Sequence, residues 1–358
     1  MKIAFLISDI SLSRGGERTT SVLANSLSIE NDIVIVSLYK ENDENFFTIN
    51  DNIKQINVNN KRINNVWKNK IQLKYREIKH LATLIKQKDI DLWIGVGTYC
   101  SILLGALNFL NRNQKYIAWE HSNYEAASKK WMNLRKFFFK RLDAIVCLTE
   151  GEDRFYKRIS NKVVVIPNMV PFEVSKGAVR TSKTIISVGA LEEEKGFDLL
   201  ITAFAHIVDQ IDWNLKIIGS GSLRNDLLGL ISAKQITSRI TIEEPTREIA
   251  NQYLSASMYV LPSRREGFPM VLLEASECGL PCIAFDCPTG PAHLIKHQVN
   301  GLLVPAEDIN LLAQSMFLLI NSDVLSTQLA LAAKEEVKKY YPQQILKSWY
   351  SLFKQLNN

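Results

Sequence analysis

The sequence predicts an α/β protein built from two doubly wound, Rossmann-like domains with parallel sheets. Three observations predict it. Short runs rich in Val, Ile and Leu alternate with longer stretches of helical spacing, the pattern of successive βαβ units. Two such series are present, one ending near residue 166 and the other beginning near 184. The length of 358 residues suits two domains of ordinary size better than one.

In the first series the expected strands are 3–7, 33–38, 92–96, 116–119, 144–148 and 163–166. Their nearly continuous apolar character is that of strands covered on both faces. Between the first two, residues 17–27 place Val22, Leu23 and Leu27 on one helical face. The longest apolar run, 101–110, is about half of the roughly 18–20 residues that span a bilayer, and reads as a buried helix or strand. The second series offers strands at 185–188, 215–218, 240–242, 258–261, 281–285 and 302–304. Residues 167–183 between the series hold Pro167, Pro171 and Gly177 with little periodicity. The expected division is a first domain over 1–170, a linker at 171–183 and a second domain over 184–340. The segment 341–358 closes the chain, with Ile345, Leu346, Trp349, Leu352 and Phe353 on one face of an amphipathic helix that packs back on a domain, the first being the expected partner. Open α/β sheets bind ligands at the carboxyl ends of their strands, so a cleft where those ends of the two domains face each other is the expected ligand site.

Bulk properties narrow the function classes. With 46% hydrophobic and 22% charged residues the chain has a globular composition. The apolar run at 3–7 soon meets Asp9, too short for a signal-peptide core, which predicts a cytoplasmic protein. Five scattered cysteines with no histidine in zinc-like spacing predict reduced structural thiols, with neither disulfide nor metal. Residues 1–180 carry 28 Lys and Arg against 18 Asp and Glu, and the remainder 15 against 19. This asymmetry suits a first domain that meets an anionic partner; solvated helix faces in a Lys-rich chain are the plainer alternative.

The densest chemical signal is the run Ser263-Arg264-Arg265-Glu266-Gly267-Phe268-Pro269-Met270-Val271-Leu272-Leu273-Glu274-Ala275, which follows an expected strand and enters a helix. Pro269 suits a first helical turn, where a missing N–H costs nothing. The amides of Phe268, Met270 and Val271 would then be open to an anion. Glu266 lies before the helix and Glu274 inside it, so one ligand over the helix start could meet both carboxylates with its phosphates on the amides. A solvated loop glutamate plus an ordinary helical one is the alternative reading of the spacing.

The Glu-x7-Glu pair within Glu-Gly-Phe-Pro-Met-Val-Leu-Leu-Glu-Ala resembles the signature of glycosyltransferase family 4, retaining enzymes of the GT-B fold. Ser187-Val188-Gly189-Ala190-Leu191 with Lys195-Gly196, Ile218-Gly219-Ser220-Gly221, 285–291 and 300–304 extend the resemblance. Gly15-Gly16-Glu17-Arg18, Glu120-His121-Ser122 and Pro167-Asn168 extend it, more sparsely, into the first half. The resemblance implies two Rossmann-like domains facing across a cleft, and roles for individual residues. Glu266 would stabilise positive charge at the donor's anomeric carbon, and Glu274 would bind ribose hydroxyls. Lys195 would neutralise the leaving diphosphate, Gly15 and Gly16 would let the ligand approach the backbone, and His121 would face the donor sugar. Gly267, Phe268, Pro269 and Met270 form the donor-binding turn, and Thr246, after the strand at 240–242, is placed by the resemblance at the nucleobase. Cys287-Pro288-Thr289-Gly290 reads as a structural turn near the donor. One departure stands out: where the family has Arg, this chain has Ala190. Arg264, Arg265 or Arg18 could supply the missing cation.

Residues 129–141 hold six basic residues, four aromatics and no acid. As a helix they suit an anionic membrane surface; a helix with its aromatics in the core is the equal alternative. The basic residues at 61–79 add to the same half. No nucleic-acid motif accompanies the charge. Gly219-Ser220-Gly221 and Gly95-Val96-Gly97 both lack the third glycine of the dinucleotide fingerprint, which argues against a dehydrogenase.

The expected function is therefore retaining transfer of a hexose or N-acetylhexosamine, from a UDP-linked rather than a GDP-linked sugar, to a lipid-linked saccharide in surface polysaccharide biosynthesis. No cofactor or essential metal is expected, and the protein would sit peripherally at the inner face of the cytoplasmic membrane. A sugar-nucleotide epimerase of the same fold, or a non-catalytic nucleotide-sugar-binding subunit, are the alternatives.

Overall fold

A computed structural model describes all residues except 60–66, 88, 122–123, 125–127 and 358, and of 67–73 and 87 only the backbone. The chain forms two compact units. The first comprises Met1–Met169 with Pro342–Asn358, the second Val170–Tyr341.

The first unit is a seven-stranded parallel sheet of β1 Lys2–Ile7, β2 Asp32–Ser37, β3 Lys54–Asn57, β4 Leu92–Val96, β5 Lys115–Trp119, β6 Ala144–Cys147 and β7 Val163–Val165. Their order is β3-β2-β1-β4-β5-β6-β7. Helices α1 Gly15–Leu27, α2 Trp67–Gln87, α3 Gly97–Leu107, α4 Lys129–Phe138 and α5 Glu150–Tyr156 connect them. The central strands are apolar on both faces and sealed: Ile3 to Leu6, Ile94 and Ile117 are fully buried. β3 is absent from the sequence expectation because Lys-Gln-Ile-Asn has no apolar pattern. It lies at the sheet edge, pairs with β2 alone and buries little. The run 101–110 is helical, α3 followed by a single 3-10 turn.

In the second unit, β8 Thr184–Val188, β9 Asn214–Ile218, β10 Ile240–Glu243, β11 Met258–Leu261, β12 Cys282–Asp286 and β13 Leu302–Pro305 form a parallel sheet ordered β10-β9-β8-β11-β12-β13. Around it lie α6 Phe197–Ile207, α7 Arg224–Ala233, α8 Ile249–Leu254, α9 Met270–Glu277, α10 Pro291–Leu294, α11 Ile309–Ile320 and α12 Asp323–Glu336. Its largest core lies on one face of the sheet, where Ile185, Ile217, Val260 and Ile283 pack with Leu200, Phe204 and Met316.

The stretch 171–183, expected as a linker, is carried by this second unit. Val174 N–H donates to the Glu277 carboxylate at 2.9 Å and Ala178 N–H to Cys278 O at 2.7 Å. The last helix, α13 Pro342–Asn357, belongs to the first unit, with Ile345, Trp349, Leu352 and Phe353 buried. All five cysteines are buried and unpaired. Among the described residues no single helix is long and apolar enough to cross a membrane, and no group of three His, Cys, Asp or Glu is placed to hold a metal ion.

Candidate active site

In each sheet the connections change direction once, between β1 and β4 in the first unit and between β8 and β11 in the second. The loops leaving such a strand pair diverge and leave a crevice at the carboxyl edge. The loops leaving β8 and β11 carry Lys195 and Glu266.

Lys195 ends a 3-10 turn, Glu193–Lys195, ahead of α6 rather than at the start of that helix. Gly196 follows with φ +64°, and a Cβ there would lie 2.0 Å from Pro262 O. Only glycine permits both that backbone and that approach. The β11 loop is thereby seated on the β8 loop, and Arg264 N–H donates to Glu194 O at 2.8 Å. The Lys195 ammonium donates to Glu266 Oε1 at 2.7 Å, and the Ser263 hydroxyl donates to the same oxygen at 2.7 Å. Glu266 is 8% exposed, and its Oε2 makes no hydrogen bond among the described residues. Thr289 Oγ1 donates to Glu266 O at 2.6 Å. The adjoining Gly290 has φ +101°, and a Cβ there would press on Pro269 and Glu266 at 3.0 and 3.1 Å. The turn expected near the donor is thus the wall against which Glu266 and Pro269 are set.

Helix α9 begins at Met270, and Pro269 is its cap residue rather than part of its first turn. Leu272 N–H returns to Pro269 O at 3.0 Å. The amides opening at the helix start are therefore those of Met270 and Val271; that of Phe268 precedes the helix. Phe268 is buried, its ring 5.9 Å from that of Tyr340. Glu274 is buried within α9 and accepts from the Tyr253 hydroxyl at 3.1 Å. Tyr253 stands on α8, three residues into whose approach Thr246 caps a turn by accepting from Glu248 N–H at 3.1 Å.

Ala190 is exposed at the end of β8. Of the cations considered in its place, Arg264 is committed elsewhere. It forks onto both oxygens of Asp198 at 2.9 and 2.7 Å and reaches Glu307 at 3.1 Å. Burial would raise the Asp198 carboxyl, but this pairing outweighs it and holds it below the usual range. Arg265 is exposed, with no side-chain ion pair among the described residues. Arg18, in the first unit, lies over the Phe47 ring at 5.4 Å.

In the first unit, α1 starts at Gly15 after β1, and a Cβ at Gly15 or Gly16 would meet nothing within 4 Å. Both positions leave open room. Glu17, unassigned from sequence, is buried, and burial pushes its carboxyl up to about 7 against the pull of its own amide and Arg14. His121 follows β5, its ring 4.3 Å from that of Trp119, with Nε2 buried and unpartnered among the described residues. Burial lowers its pKa to about 3, so it acts as a neutral imidazole. Ser122 lies outside the described residues, as do 61–66 of the basic stretch 61–79.

Of the basic segment 129–141, Lys129, Lys130, Lys136, Lys140 and Arg141 are exposed together with Trp131 (37%) and Phe137 (56%). Arg135 and Phe139 are buried, so the segment has both a core face and a basic, aromatic outer face.

Two doubly wound parallel units, one with a lysine–carboxylate pair and open helix-start amides at its switch point, define a GT-B protein. The chain belongs to the glycosyltransferases of family 4: residues 13–174 match the family described as Glycosyltransferase Family 4, and 172–336 that described as Glycosyl transferases group 1. An uncharacterized glycosyltransferase of Haemophilus influenzae is 32% identical over 97% of this chain and 98% of its own. The amylovoran biosynthesis glycosyltransferase AmsD of Erwinia amylovora is 28% identical over 97% of this chain and 98% of its own. A Campylobacter jejuni enzyme named as an alpha-1,4-N-acetyl-D-galactosaminyltransferase acting on a diNAcBac-PP-undecaprenol glycan is 25% identical over 100% of this chain and 99% of its own. Among solved structures, Staphylococcus aureus TarM with UDP superposes with a TM-score of 0.83 at 15% identity, over 98% of this chain and 99% of that one.

Proposed function

We propose that the chain transfers a hexose or N-acetylhexosamine, with retention, from a UDP-sugar to a lipid-linked saccharide of a surface polysaccharide. The observation that carries this reading is the Lys195–Glu266–Ser263 cluster at the switch point of the second unit, beside the Met270 and Val271 amides. A nucleoside diphosphate laid over α9 would place its phosphates on those amides and draw the Lys195 ammonium onto the leaving oxygen. Glu266, released from that ammonium, would then hold its carboxylate toward the positive charge at the anomeric carbon. Lys195 and the amides supply what a divalent cation supplies elsewhere, so the reaction would need no metal. Glu274, presented by Tyr253, would take the ribose. The UDP in the TarM structure and the undecaprenol-linked substrate in the Campylobacter enzyme's name support the donor and acceptor classes. The exposed basic and aromatic face at 129–141 supports a peripheral place at the cytoplasmic membrane.

A thermal-shift panel of UDP- and GDP-sugars tests the donor. UDP-sugars should raise the melting temperature, since a ligand that binds only the folded state stabilises it. Glu266→Gln should keep the shift and lose at least about 100-fold in turnover. No shift with any nucleotide sugar would sink the reading, and a shift confined to GDP-sugars would overturn the donor. An inverted anomeric signal in the product would overturn retention. Interconversion of free UDP-sugars without acceptor would make the chain an epimerase.

A further inference from the structure

The structure assigns a positioning role to Glu120 and Arg135, a buried ion pair that sets the chain on which His121 stands; the inference rests on reading His121 as a site residue. Glu120 precedes His121 and continues the β5–β6 ladder, its N–H donating to Val146 O at 2.9 Å. The Trp119 and His121 rings meet, tilted, on one side of the strand end, and Glu120 turns to the other, as strand alternation requires. Its side chain is 0% exposed. Its Oε2 accepts from Thr98 Oγ1 at 2.7 Å, Arg135 Nη2 at 2.9 Å and the Tyr156 hydroxyl at 3.3 Å.

Arg135 comes from the middle of α4, whose outer face is basic and exposed, yet it is 1% exposed. Its Nη1 donates to Tyr124 O at 3.3 Å, and Tyr124 N–H in turn donates to Glu152 Oε1 at 3.4 Å. Both backbone groups of Tyr124 are therefore held, and one guanidinium binds the chain on either side of His121. The guanidinium also lies 5.3 Å from the Tyr124 ring. As a stability device this network is inefficient, because apolar packing of equal volume would avoid the desolvation of two charges. What a buried pair with directional bonds provides, and apolar packing does not, is a fixed backbone path at one place. Glu120 touches His121 only through the backbone, so its effect is on where the imidazole sits.

The test uses the full chain with the UDP-sugar that gives the largest thermal shift, and ring resonances of labelled histidine, with His121 assigned from His121→Gln. Glu120→Gln should move the His121 resonance and lower kcat at least about tenfold, with donor KM changed less than about threefold. Added to His121→Gln, it should cost less than about twofold more, because both act at one group. Arg135→Gln should give a similar loss, and Arg135→Lys, which keeps the charge, a smaller one. If Arg135→Gln fails to fold, Thr98→Val serves in its place: it deletes a shared hydrogen bond and leaves no charge unpaired. Losses that multiply in the double variant, or a lowered melting temperature with the His121 resonance unmoved, would overturn the proposal. If His121→Gln leaves turnover intact while Glu120→Gln still moves the resonance, the positioning role stands and the reading of His121 falls.

Discussion

At Glu266 one carboxyl oxygen receives both the Lys195 ammonium and the Ser263 hydroxyl at 2.7 Å, and the other makes no hydrogen bond among the described residues. Lys195 is 30% exposed at its side chain and Glu266 7%, so the ammonium has the freer path to exchange partners. The exposed methyl of Ala190 adds nothing to this charge, and Arg264 is held by Asp198 and Glu307. Arg265, the next residue, is exposed and has no side-chain ion pair among the described residues. His121 supplies a prediction with a sign. Its folded pKa is lowered to about 3 while the unfolded imidazole titrates near 6.5, so between those values the unfolded state binds the extra proton. Stability from the neutral, half-buried ring is full above about pH 6.5 and lost as pH falls toward about 3. Glu17 and Glu152, raised to about 7, act oppositely: their contribution is full below the ordinary glutamate range and lost as pH rises toward 7. The difference between variants isolates the histidine. From pH 6 to pH 5 in urea unfolding, His121→Gln should gain on the wild type by about 1 kcal/mol. An unchanged gap would show the imidazole to be solvated.

Among the elements, the β8 and β11 loops depend on a glycine more than on any side chain. Gly196→Ala should lower stability by at least about 1–2 kcal/mol from its left-handed backbone alone, and further through the contact with Pro262 O. Because Lys195 is the preceding residue, nucleotide-sugar affinity should fall as well. Gly229→Ala, in exposed α7 with open space around it, should leave binding intact and raise stability by up to about 1 kcal/mol. Melting temperatures and donor titrations of the two variants check this, and equal effects would refute it. Most strands were legible from apolar runs because strands covered on both faces have no alternative composition. β3 was not, since an edge strand satisfies its backbone without an apolar pattern. The start of α9 was legible to within a residue: Pro269 marked it but sits as its cap, which leaves two open amides at the helix start, those of Met270 and Val271. The segment 129–141 read as basic and aromatic from end to end, and only packing divided it into an inner face holding Arg135 and an outer one.

On the scale of the whole molecule, the chain leaves the first unit after Met169 and re-enters it at Pro342. The terminal helix α13 completes that unit, placing Trp349 edge-on to Trp119 at 5.4 Å, and Trp119 in turn meets His121. Trp349→Ala should cost about 3–5 kcal/mol. Hydrogen exchange should place the loss in β5, α1 and α13 and leave the second unit protected. Loss spread evenly over both units would contradict the division. The sequence by itself determined the two parallel-sheet series and the family, and it singled out Lys195, Glu266, Glu274 and His121 as candidates. Strand composition and loop motifs are local in the chain, so they are readable there. Only the tertiary structure decided that Ser263 shares Glu266 with Lys195, that Tyr253 presents Glu274, that Arg264 is occupied and that Arg135 is buried against Glu120. Those facts join residues far apart in sequence, and whether a charge is solvated or paired depends on what folding brings beside it.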